Sequence, residues 1–109
     1  MLTIDNYCDR AKAQSNIKSD RKLADALGIT SPSLSQYRRK RAWPSDNTMV
    51  KLAELAGLDP KQGLLYLSTW RAEGKALELF IEIANEYLKG NASSLEQKFF
   101  TQGMTNNNP

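Results

Sequence analysis

The chain contains no histidine, so the side chain most often used in nucleophile pairs and as a metal ligand is missing. The single cysteine, Cys8, excludes an intrachain disulfide, and we interpret it as an apolar residue of the first helix rather than a redox group. No apolar run approaches the roughly 20 residues of a membrane span, and the first residues lack the regions of a signal peptide. No glycine loop of the kind that cradles phosphates is present. These absences predict a soluble, cytoplasmic protein that is not an enzyme and needs no cofactor.

Positive charge is concentrated in the first half of the chain. Residues 1–50 contain nine Lys/Arg and five Asp/Glu (net +4), whereas residues 51–109 contain six and seven (net −1). A basic surface attracts polyanions. The charge distribution therefore favours a nucleic-acid partner for the first half.

Capping residues and apolar residues at helical spacing predict an all-α protein. The third helix is expected over about residues 31–40, and the last helix over about residues 75–89. Glycines at positions 28, 57 and 90 are expected to end helices. The first five helices are expected to begin after Thr3 or Asp5, Ser19, Thr30 or Ser31, Ser45 or Asn47, and Asp59.

The most informative segment runs from Asp20 to Trp43. Two short helices joined by a three-residue turn must cross steeply, and their backbones approach closely. This geometry needs a small residue on the first helix, here Ala24, and a turn residue that tolerates positive φ, here Gly28. Each match is weak alone, but together they predict a helix-turn-helix. The full set is Leu23, Ala24, Leu27, Gly28, Ile29, Leu34 and Tyr37.

The outer face of the third helix is the predicted DNA-binding face. Because Leu34 and Tyr37 point to the core, Gln36 lies on the opposite side, where it can bind adenine through two hydrogen bonds. Serines near the N-terminus of the helix are at the end that approaches base edges, although they could equally act as caps. The predicted base contacts are Ser31, Ser33 and Gln36.

The run Arg38-Arg39-Lys40-Arg41 is the densest group of charges in the chain. Cations at a helix C-terminus interact well with its dipole and can simply be solvated. Since four follow the predicted DNA-binding face, we predict phosphate contacts, and one arginine could instead enter the minor groove. Arg21 and Lys22 are further phosphate candidates. Trp43 is interpreted as a lid on the core rather than a base-stacking residue.

These residues resemble a known family. The segments Leu23-Ala24, Leu27-Gly28-Ile29-Thr30, Leu34-Ser35, Tyr37 and Pro44 are similar to the helix-turn-helix of Cro/C1-type (XRE) phage repressors. The resemblance covers about residues 3–70 and implies a five-helix domain, to which the apolar spacing over about residues 75–89 adds a C-terminal helix. It also implies base contacts at Ser31, Ser33 and Gln36, and a phosphate contact at Thr30.

The chain departs from the family pattern at two positions. Asp20 stands where the family often has a glutamine that clamps a phosphate. Lys40 stands where a glycine usually follows the third helix, so that helix is expected to run on. The stretch from Tyr37 to Pro44 is also similar to phage lysogeny activators.

The last helix has an apolar face that is broad for a lone surface helix, and its acidic side is interpreted as solubilising. We divide the chain into a helix-turn-helix domain (1–72), a C-terminal helix (73–90) and a flexible tail (91–109), in which Leu95 to Phe100 could form a docked turn. A two-fold dimer would double the DNA contacts. The predicted dimerisation residues are Trp70, Leu77, Phe80, Ile81, Ala84, Tyr87 and Leu88.

The leading hypothesis is a phage or prophage repressor that occupies an operator as a homodimer. Its partner is double-stranded DNA, and no membrane or small-molecule substrate is expected. A phage-type activator of the same fold is the near alternative. From a different class, an antitoxin-like interaction adaptor remains open, although an adaptor does not need a basic run beside an exposed Gln36.

Overall fold

The computed structural model describes residues 1–90, and this part of the chain is all-helical as predicted. The predicted tail, including the turn from Leu95 to Phe100, lies outside the described residues. None of the helices in residues 1–90 is both long and apolar enough to cross a membrane. The helices are α1 (Ile4–Gln14), α2 (Asp20–Leu27), α3 (Ser31–Arg38), α4 (Asp46–Ala56), α5 (Pro60–Arg71) and α6 (Gly74–Gly90).

Polar side chains decide where the first five helices begin. The Thr3 hydroxyl accepts the backbone N–H of Asn6, and the Thr3 N–H donates to Asn6 Oδ1 at 2.8 Å, which forms a capping box. At the other end, Gly28 (φ 74°) and Gly57 (φ 72°) take the left-handed conformation that closes α2 and α4, as predicted. The remaining N-caps are Ser19, Thr30, Ser45 and Asp59, each accepting a backbone N–H from the first turn of its helix.

One core joins the helices. α1 packs on α4 and also contacts α2 and α3, while α5 lies between α4 and α6. Cys8 is fully buried in this core, and burial raises the pKa of its thiol to about 12, in agreement with its interpretation as an apolar residue. The largest fully buried side chains are Tyr7, Tyr66, Leu2, Ile4, Leu23, Leu34, Met49, Leu52 and Leu67.

The third helix is shorter than predicted. It ends at Arg38, because Lys40 itself takes the left-handed conformation (φ 61°) that glycine supplies more easily. The Lys40 N–H donates to the Tyr37 carbonyl at 3.0 Å, and the Arg41 N–H donates to the Gln36 carbonyl at 3.0 Å. These two bonds form a Schellman motif, which satisfies the last carbonyls of α3. The expected extension to residue 40 was therefore wrong.

Candidate nucleic-acid interface

The crossing of α2 and α3 is built as the sequence predicted. Leu23 and Ala24 are fully buried, and α3 packs over them through Leu34, which is 1% exposed. The turn is held by a hydrogen bond from the Ile29 N–H to the Ala24 carbonyl at 3.0 Å. This close crossing presents the outer side of α3 at the surface.

The three predicted base-contacting residues lie on the first two turns of α3. Thr30 is the N-cap: its hydroxyl oxygen accepts the Ser33 N–H at 3.1 Å, and its O–H donates to Ser33 Oγ at 2.9 Å. Ser31 is exposed and is not needed as the cap. The half-buried Gln36 forms no side-chain hydrogen bond within residues 1–90, so its amide is available to a ligand.

The guanidinium of Arg38 is held by three aspartates. Arg38 Nε and Nη2 donate to the two carboxylate oxygens of Asp20 at 3.0 and 2.9 Å. Arg38 Nη1 reaches Asp5 Oδ1 at 3.0 Å, and Nη2 reaches Asp9 Oδ1 at 2.9 Å. The Arg38 side chain is only 19% exposed. We call Arg38 with Asp5, Asp9 and Asp20 the Arg38 cluster.

The charges of the Arg38 cluster stabilise one another. Hydrogen bonds from Arg38, then from Lys12, outweigh burial and lower the pKa of Asp20. Burial opposes ionisation of Asp5, but hydrogen bonds from Arg38 and Lys40 prevail and lower its pKa as well. For Arg38 itself, burial acts against the charge, yet the three carboxylates raise its pKa. Arg38, Asp5 and Asp20 are therefore charged at neutral pH.

The basic run that sequence analysis treated as one group is divided by the structure. Arg38 is turned toward α1 and α2, where its guanidinium binds Asp20 and Asp5. We therefore no longer propose Arg38 as a phosphate contact. Lys40 lies 3.2 Å from Asp5 Oδ2 but remains half exposed. Arg39 and Arg41 are exposed and form no ion pair with any residue of 1–90. The same holds for Arg21 and Lys22 in the first turn of α2.

The loop that follows α3 is anchored to α5. Trp43 stacks on Trp70 with ring centroids 5.8 Å apart and an interplanar angle of 28°, so it lies against the core as predicted. Pro44 is buried, and its carbonyl accepts a hydrogen bond from Arg71 Nη2 at 2.8 Å. This anchor fixes the end of the loop that carries Arg39 and Arg41.

Most of the predicted dimerisation residues are used within the single chain. Ala84 is fully buried, and Leu88 packs against the core. Trp70 donates from Nε1 to the Leu2 carbonyl at 3.3 Å, and the Tyr87 hydroxyl donates to Asp59. Leu77 and Phe80 are half-buried, which leaves Ile81 as the one exposed member of the set. Two residues that sequence analysis did not select, Leu79 and Ile83, are also exposed (45% and 48%).

Sequence analysis also missed the three aspartates of the Arg38 cluster. A signal was present: Arg38 follows Leu34 by four residues, which places both side chains on the same face of a helix. An arginine on the inner face of a helix needs buried or half-buried acceptors. The positions of the acceptors depend on how α1 and α2 pack, and local spacing does not give them.

Comparison with protein families agrees with this geometry. Residues 10–62, about half of the chain, match the family model described as helix-turn-helix. Searches of curated proteins and of solved structures gave no match. The fold and the family match define the class: this is a helix-turn-helix DNA-binding protein. Within that class, residues 10–62 form a helix-turn-helix of the Cro/C1 (XRE) type, the DNA-binding domain of transcription regulators.

Proposed function

We propose that the protein is a repressor, of the kind encoded by phages, that binds a specific operator and excludes RNA polymerase from it. The observation that carries this proposal is the outer face of α3, where Ser31 is exposed and the Gln36 amide forms no hydrogen bond within residues 1–90. Such a helix docks in the major groove, where each base pair presents a distinct pattern of donors and acceptors. The family match supports DNA binding, and the side chains of α3 support sequence specificity.

In the proposed complex, Ser31, Ser33 and Gln36 contact bases. The cations that the structure leaves at the surface around these three residues contact phosphates on both sides of the groove. Arg21 extends from the start of α2, while Arg39 and Arg41 extend from the loop after α3. The proposed phosphate contacts are Arg21, Thr30, Arg39, Lys40 and Arg41.

Selection of bound fragments from random double-stranded DNA tests this proposal. It should give a defined half-site, and Gln36→Ala should then reduce the preference for that site over random DNA by about 5- to 150-fold. Gln14→Ala, at the exposed end of α1, is the matched control and should leave the preference unchanged. Equal losses on both DNAs would show that Gln36 does not contact a base. Transcription in vitro from a promoter that overlaps the selected site should fall when the protein is added.

We further propose that the operator is bound by a two-fold dimer formed through α6. Leu79 and Ile83 are one helical turn apart and form an apolar stripe that no other helix of residues 1–90 covers. Lys75 and Glu86 lie along the same edge of this stripe, at opposite ends of the helix. If two α6 helices pair in antiparallel fashion, Lys75 of each copy lies near Glu86 of the other copy. Opposite charges then meet at both ends of the pair. A second copy is therefore the occupant we propose for this face.

Sedimentation of the full chain tests the dimer. The unmodified protein should sediment as a dimer, and Ile83→Glu should sediment as a monomer with unchanged helix content. Asn85→Glu, an equally acidic change at an exposed position of α6 that is rotated by about 200° from Ile83, is the control and should remain dimeric. A dimer that persists in Ile83→Glu would place the interface elsewhere. A monomeric unmodified protein would refute the dimer.

A further inference from the structure

The Arg38 cluster connects three helices at the back of the proposed DNA-binding face. We propose that Arg38 is a positioning residue: without contacting DNA, it fixes the angle at which α3 enters the groove and thereby determines operator specificity. This inference depends on the proposed function, because it assumes that α3 contacts bases.

The position of Arg38 on α3 separates it from the DNA. Successive residues of an α-helix are rotated by about 100°, so Arg38 is rotated by about 200° from Gln36. Leu34, four residues earlier, is fully buried on the same side as Arg38. The side chain therefore extends toward α1 and α2, where its three acceptors lie.

The cluster matters because α3 has little apolar anchorage. Leu34 is the one buried residue of this eight-residue helix, and Tyr37 adds a half-buried side chain. These two apolar side chains alone hold the angle of so short a helix weakly. Arg38 fixes that angle, since it ties the C-terminal end of α3 to the first turn of α1 through Asp5 and to the start of α2 through Asp20.

The arrangement requires an arginine rather than any cation. The planar guanidinium makes four hydrogen bonds here, and two of them form a fork on Asp20. A lysine would keep the charge but offers one nitrogen, which cannot reach carboxylates from three directions with this geometry. Arg38→Lys therefore removes the orientation of the helix while it conserves the net charge.

The test compares Arg38→Lys with Arg10→Lys, a charge-conserving change at a half-buried arginine of α1 that is not among the proposed DNA contacts and whose Nε donates to the Ala56 carbonyl at 3.3 Å. Affinities for the selected operator and for a scrambled duplex are measured by fluorescence anisotropy over a series of salt concentrations. Arg38→Lys should lower the ratio of the two affinities by about tenfold, with the slope of log affinity against log salt unchanged. Arg10→Lys should leave both the ratio and the slope as in the unmodified protein.

A role in stability alone would give a different result. Loss of folded protein lowers both affinities in the same proportion, so an unchanged ratio in Arg38→Lys would overturn the proposal. A slope reduced by about one with an unchanged ratio would also overturn it, because that result identifies a phosphate contact. If Arg38→Lys does not fold, Asp9→Asn removes the charge of the most exposed of the three acceptors, and the ratio should then fall by about two- to fivefold.

The failure of this inference can be distinguished from failure of the proposed function. If Gln36→Ala leaves discrimination unchanged, α3 does not contact bases and the proposed function fails first. If Gln36→Ala lowers discrimination and Arg38→Lys does not, the proposed function stands and the positioning role of Arg38 is refuted.

Discussion

Arg39 and Arg41 lie exposed beside the proposed DNA-binding face, and neither has an ion-pair partner within residues 1–90. Replacing both by glutamine removes their charges from this face. Each phosphate contact contributes about 0.9 to the slope of log affinity against log salt, so the slope should fall by about 1.8 for each bound protomer, which is about 3.6 for the proposed dimer. Between about 50 and 200 mM salt, the change in affinity should therefore shrink by roughly tenfold for each protomer. Affinity for all sequences should decrease together, because phosphates carry no sequence information.

The matched control is Lys61→Gln on α5 with Lys89→Gln at the end of α6, two exposed lysines outside the proposed DNA and dimer contacts. Both double variants lower the net charge by two, from +3 to +1, so long-range electrostatics changes equally. Fluorescence anisotropy titrations at several salt concentrations give both slopes. If the Lys61 and Lys89 variant lowers the slope as much as the Arg39 and Arg41 variant, the effect is that of net charge, and the assignment of phosphate contacts to this loop is refuted.

Three further predictions concern stability, measured by urea or thermal unfolding. Lys40→Gly should be more stable than Lys40→Ala by about 1 kcal/mol. Both variants lose the ion pair to Asp5, but only glycine relieves the steric strain of the left-handed backbone at this position. Equal stabilities would show that the turn is not strained. Gly28→Ala should cost about 1 kcal/mol through its backbone alone, since an added Cβ would find its nearest atom, Lys51 Nζ, at 3.8 Å; an unchanged midpoint would contradict this reasoning. Because the pKa values of Asp5 and Asp20 are lowered by folding, their stabilisation is present above the unfolded value of about 3.9 and is lost as the pH falls below it. Asp20→Asn should therefore lose less stability between neutral pH and pH 3 than the unmodified protein, and an equal loss would exclude Asp20 as a source of the acid sensitivity.

The fold could be predicted from sequence where local signals decide it. Ser19 before α2, Gly28 after it and Asp59-Pro60 before α5 act within one helical turn, so their effects do not depend on the rest of the chain. The end of α3 could not be predicted in this way. The family glycine is replaced by Lys40, and nothing in the local sequence shows that a lysine accepts the same backbone conformation.

The candidate site was predicted in part. The face of Ser31, Ser33 and Gln36 follows from helical spacing once Leu34 is recognised as buried. Charge is harder to assign, because a dense run of cations does not show which members are already paired. Arg38 and Arg41 are the same residue type in the same basic run. Only the packing of α1 and α2 against α3 distinguishes the paired Arg38 from the exposed Arg41.

The division of the apolar residues of α6 likewise depends on tertiary structure. Its sequence is apolar on more than one side, and the choice of which side packs on α5 places Ala84 inside and Ile83 outside. A periodic pattern identifies such a helix but not its rotation about its own axis.

Titration of the ¹⁵N-labelled protein with the selected duplex at low salt, followed by amide chemical shifts, tests the central claim most directly. We expect the largest shifts from Ser31 to Arg41, with Gln36 among them, and small shifts at Lys75 and Lys89 of α6. Unchanged amide shifts from Ser31 to Arg41 would contradict the claim that α3 enters the DNA groove.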